Sequence, residues 1–168
     1  MKYKIYILIV LSCVVLAACE TDIEKMYVNQ TKIIAPPVLK NEGLTDVIIN
    51  ETNLNTIPVV LNWTGSDFGQ NVIVAYSLEM ATNASFDDSF VVIVGNNTYV
   101  KALNCEDLNK WMIANFNGFD ENNLPVNVNL FMRIYATVAL ENPIVTRQPD
   151  KVYSNAITLS VTPYSEHL

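Results

Sequence analysis

After residue 32 the chain is dominated by a period-two alternation of apolar and polar residues. Val59, Leu61 and Trp63 alternate with Val60, Asn62 and Thr64, and Val74, Tyr76, Leu78 and Met80 alternate with Ala75, Ser77 and Glu79. Successive side chains of a strand point to opposite faces, so each run predicts an antiparallel strand with one face in a core. Between them Gly65, Ser66, Asp67, Phe68 and Gly69 read as a turn. Residues 90–94 form a continuous apolar run that ends in Gly95, Asn96 and Asn97, a hairpin-turn composition, with residues 98–103 returning as the partner strand. Leu130, Met132, Ile134, Ala136 and Val138 face one way on a later strand, as do Ile157, Leu159 and Val161 on the last. Residues 33–39, with Pro36 and Pro37 suited to a sheet edge, supply the first strand, and residues 47–49 a further short one.

One segment follows a helical period instead. Asn104 is a good N-cap, Asp107 stands where a capping-box acid would, and Cys105, Leu108, Trp111 and Met112 fall on one helical face. Seven or eight strands with a single short helix predict an all-β, two-sheet antiparallel sandwich of immunoglobulin or fibronectin type III kind, with a closed barrel as the alternative.

The first nineteen residues break the pattern. Lys2 and Lys4 precede an apolar run over residues 5–11, and Leu16, Ala17, Ala18 and Cys19 close the segment as a bacterial lipoprotein signal does. The apolar run is short of the roughly 20 residues that span a bilayer core. The expected organisation is a signal peptide over residues 1–18, a lipidated tether over 19–32 beginning at Cys19, a sandwich domain over 33–164 and a tail over 165–168. Loss of Lys2 and Lys4 with the signal leaves eight basic residues against seventeen acidic ones, a formal charge of −9. That balance argues against nucleic acid and anionic headgroups as partners. With Cys13 removed and Cys19 acylated, only Cys105 remains, so a hydrophobic core without disulfides must hold the fold.

Candidate chemistry is sparse. The single histidine is His167, next to the last residue, which argues against Ser-His-Asp, Cys-His and histidine-zinc sites. Asp87 with Asp88 and Asp120 with Glu121 are the adjacent carboxylates, and both pairs fall in predicted turns, where capping is the usual role. Asn83, Ser85, Asp87, Asp88 and Ser89 are oxygen-rich but match no calcium-loop spacing. No glycine-rich phosphate cradle is present, and neither a metal, a cofactor nor a catalytic residue is expected. Five Asn-x-Ser/Thr sequons, opening at Asn29, Asn50, Asn62, Asn83 and Asn96, carry no weight in a bacterial lipoprotein. Trp63 reads as the core tryptophan of the sandwich. The best glycan candidate is an exposed trio of Trp111, Phe116 and Phe119 around Asn115 and Asn117, against which stands simple helix packing.

The lipoprotein start, Leu61-Asn62-Trp63-Thr64, the strand Tyr76-Ser77-Leu78-Glu79-Met80 and the closing Tyr153, Ser154, Asn155 through Thr158 to Thr162, Pro163 and Tyr164 together resemble the N-terminal domain of SusE-type outer-membrane lipoproteins of Bacteroidetes starch-utilisation systems. The resemblance implies an immunoglobulin-like domain that follows the lipid anchor and precedes carbohydrate-binding modules. It further implies a place on the cell exterior, beside a SusC/SusD-like transporter and glycan-binding lipoprotein. The acidic residues after Cys19 resemble that phylum's surface-export signal. The sequence stops after Pro163 and Tyr164, where the binding modules would begin, so either a short relative or a piece of a longer gene is expected. The resulting expectation is a non-enzymatic spacer or docking module in a polysaccharide (starch-like) binding and uptake system. Its alternatives are a direct carbohydrate-binding module and a structural adhesin or pilus-type subunit, the last needing an exposed strand edge.

Overall fold

The computed structural model describes residues 35–69, 71–139 and 151–165. The expected signal, the tether with Cys19, and His167 lie outside the described residues. The alternating runs become strands in two sheets. The smaller sheet contains β1 (Leu39–Asn41), β3 (Val59–Trp63) and β6 (Val100–Leu103), in the order β1-β3-β6. The larger runs β2 (Asp46–Ile48), β9 (Ile157–Thr162), β7 (Val128–Val138), β4 (Val74–Ala81) and β5 (Phe90–Asn96), with β8 (Val152–Tyr153) also paired to β7. All pairings are antiparallel except β2 with β9. The architecture is an all-β sandwich, and the described strands form no barrel.

The period-two pattern decides which side chains meet between the sheets. Val59, Leu61 and Trp63 from β3 face Tyr76, Leu78 and Met80 from β4, Leu130, Met132 and Ile134 from β7, and Leu159 and Val161 from β9, all in one buried cluster. The Trp63 and Tyr76 rings meet at 5.9 Å across the layer. Each fully buried aliphatic side chain contributes about 1.5–3 kcal/mol, so this layer holds the sandwich without a disulfide. Burial raises the Tyr76 phenol above its ordinary range, and its oxygen accepts from the Ser66 N–H at 2.8 Å.

α1 (Cys105–Asn115) connects the two sheets as expected. The Asn104 carboxamide accepts from the Asp107 N–H at 2.7 Å, and Glu106 and Asp107 place negative charge at the helix start. Cys105, Leu108 and Met112 are fully buried and close one end of the core. Asn117, at φ 48°, turns the chain away, and Gly118 follows where any Cβ would meet Pro163 Cγ at 2.8 Å. Only glycine permits that approach.

Three expectations change. Among the described residues the first strand begins at Leu39, past Pro36 and Pro37, which lack ladder donors; ahead of them Ala35 forms an isolated bridge with Asp67, and residues 33 and 34 lie outside the described residues. Residues 90–103 do not make a hairpin: β5 pairs with β4, whereas β6 crosses to β3 in the other sheet. Gly95 at φ 140° and Asn97 at φ 48° form the crossover, and the Asn97 N–H and side chain both bond Val74. Glu79, a polar position of the alternation, is buried, with Arg133 Nε donating to it at 2.6 Å and Ser89 Oγ at 2.8 Å.

Candidate functional site

A groove of about 640 Å3 lies at the end of the sandwich beside α1. Ligand clefts span roughly 300–1,000 Å3, so its size suits a small ligand. Three connections build it around the helix. The turn after β2 is fixed because the Thr56 and Leu54 carbonyls accept from the Cys105 and Glu106 N–H groups, both at 3.0 Å. These are otherwise unpaired donors of a helix N-terminus, and the contact brings Leu54 and Asn55 to one wall. The segment after β9 is held by Asn109, which accepts from the Tyr164 N–H at 2.7 Å and donates to its carbonyl at 3.0 Å. The loop after the helix is shaped by Asp120, whose carboxylate accepts from the Asn122 and Leu124 N–H groups at 2.9 and 2.8 Å.

The walls carry Phe119, Tyr164, Leu54 and Ile113 as apolar surface, with the amides of Asn55 and Asn123 beside them. Glu51 adds a carboxylate, and Lys110 and Glu106 form an exposed pair at 2.6 Å. The hydrogen bond and charge of Glu106 raise the Lys110 pKa, so the ammonium stays charged. Rings and neighbouring amides suit an uncharged polyol, and the carboxylates disfavour an anionic one.

The five glycan candidates read from the sequence do not share one face. Phe116 is buried, 4% exposed, and packs edge-on against Phe90 at 6.1 Å; Trp111 is half-buried against the same ring at 5.9 Å. At about 100° per residue, Trp111 and Ile113 lie roughly 160° apart around the helix, which puts Trp111 on the flank away from the groove. Asn115 is exposed and donates weakly to the Trp111 carbonyl at 3.4 Å, while exposed Asn117 serves the helix end. Phe119 alone of the five lines the groove. An exposed trio of Trp111, Phe116 and Phe119 is therefore corrected: packing against Phe90 consumes two of its rings. Trp63 is buried in the core as expected.

The acidic pairs are turn groups. Asp87 accepts from Ser85 Oγ and its N–H donates to Asn83 Oδ1 at 3.1 Å, and Asp120 closes its own loop. Among the described residues no cluster of three His, Cys, Asp or Glu side chains could hold a metal. Tyr164, Leu54 and Asn55 escaped the sequence reading because they reach the helix from segments remote in sequence, which leaves no spacing signature. The Asn109 clamp gave no local signal either.

The described residues thus form an all-β sandwich with an open groove beside α1. The model of the SusE outer membrane protein family matches residues 21–130, more than half of the chain, and the chain belongs to that family of outer-membrane proteins. No curated protein sequence matches it.

Proposed function

We propose that the chain is a lipid-anchored, exterior-facing spacer or docking module of a polysaccharide (starch-like) uptake system, without enzymatic activity. In this reading Cys19 carries the anchor, residues 20–32 give reach, and the sandwich docks beside a SusC/SusD-like transporter and its glycan-binding lipoprotein. The observation that supports it best is the fate of the aromatic side chains. Phe116 is buried and Trp111 is packed on Phe90, so two of the three rings expected to make a sugar platform pack against the core instead. Family membership supports the outer-membrane setting.

A second reading, direct glycan binding, is favoured by Phe119 and Tyr164 beside Asn55 and Asn123 in the groove. Affinity electrophoresis of residues 20–168 through gels containing starch and other neutral polysaccharides separates the two. The spacer reading expects unchanged mobility in every gel. Retardation abolished by Tyr164→Ala but not by Trp111→Ala would replace it with a glycan-binding groove.

A further inference from the structure

We propose that β5 is a self-pairing edge through which two copies of this chain join as an antiparallel, two-fold dimer. A sheet edge presents unpaired peptide groups, and proteins blunt such edges with short strands, charges, prolines or bulges. Among the described strands five lie at sheet edges, and four are blunted, β8 by having only two residues. β1 and β2 have three residues each and carry Lys40 and Asp46. β6 carries Lys101, which its register sets opposite fully buried Leu61, so a charge occupies the inward side of that edge.

β5 lacks the first three of these devices, and its one bulge lies toward its C-terminal end. It is seven residues long, contains neither a charge nor a proline, and sits in a stretch, residues 89–100, with no charged side chain at all. Ile93 is 82% exposed and Val91 37%, while Phe90, Val92 and Val94 on the other face pack on the core yet stay only half-buried. A bulge interrupts the β4 pairing at Val94, between the Gly95 and Ile93 partners, and leaves residues 90–93 as the regular part of the edge.

A second copy fits this edge better than an unrelated strand because the segment is self-complementary. An antiparallel pairing centred on Val92 stays within the regular residues and sets Val91 opposite Ile93 of the second copy at each end, a pair of the kind that stabilises sheets. Charge agrees with the same alignment. Antiparallel pairing keeps exposed Asp87 and Asp88 of the two copies at opposite ends, whereas a parallel pairing would gather them together. The two-fold operation uses both edges and closes at two copies, unlike the open polymer of a pilus-type subunit. So short a strand contact falls below the roughly 1,200 Å2 of a standard stable interface, so the dimer is weak at high dilution. The pairing does not depend on the proposed anchor, which would only raise local concentration.

Register-specific disulfide trapping tests it. Two differently tagged forms of the full chain, one with Val91→Cys and the other with Ile93→Cys, are purified in detergent, mixed and oxidised. Peptide mass analysis then reads which cysteines are linked. Native Cys105 is buried and does not compete. The expected result is several-fold more 91–93 linkage between copies than 91–91 linkage in a mixture of two Val91→Cys forms. Both substituted positions are exposed, and unchanged melting temperatures verify folding. Equal yields, dominant 91–91 linkage, or no linked dimer at the highest soluble concentration would overturn the proposal. So would trapping from cells in which residue 93 links to a different protein. Membrane fractionation reads the anchor separately.

Discussion

Glu79 shows how one residue can break a pattern that its neighbours obey. It occupies an outward, polar position of β4, yet it is 5% exposed because Arg133 and Ser89 close over it. Arg133 is in turn held between the rings of Phe86 and Tyr153, each 3.9 Å from its guanidinium carbon. The charge pair is thus shielded on the outer face of the larger sheet, where losing one member strands the other. Arg133→Met is expected to lower the unfolding free energy by about 3 kcal/mol, with partial recovery when Glu79→Gln is added. Chemical denaturation of the single and double variants reads this. A loss under about 1 kcal/mol would place the pair with ordinary surface pairs. Arg133 lies 54 residues from Glu79 in sequence, so only the register of β4 against β7 reveals the cluster.

At the scale of elements, α1 was the most legible piece. Its N-cap, first-turn acids and apolar face are local properties, and a helix follows from them directly. Asn104→Ala should cost about 1 kcal/mol, measured by thermal or denaturant unfolding. The strands were equally legible in existence, since alternation shows which residues face the core. Their partners were not. Residues 90–94 and 98–103 read as two arms of a hairpin around Gly95, Asn96 and Asn97, but the chain crosses between sheets there. Period two identifies a face and says nothing of the neighbouring strand. The Trp111, Phe116 and Phe119 trio failed for the same reason. A local reading cannot know that Phe90, across the helix, will take up two of the rings.

At the scale of the molecule, the sandwich places its groove and its open edge on different elements, the first around α1 and the second along β5. Docking, glycan contact and self-pairing can therefore be tested independently. Anchoring has its own test: Cys19→Ser is expected to move the protein from the membrane fraction to the soluble one, read by fractionation and immunoblot. Persistent membrane association of that variant would show attachment by another route.

By itself the sequence determined the helix and most of the strands, the all-β class, most core-facing residues and the likeness to an outer-membrane family. Each of these depends on residue type, short-range spacing or composition, which a linear chain displays in full. The tertiary structure alone decided strand partners, the burial of Glu79, the division of the aromatic residues between core and groove, and the one unblunted edge. The strand partners, the burial of Glu79 and the division of the aromatic residues depend on contacts between remote segments, and their energies exist only once the backbone has brought the segments together.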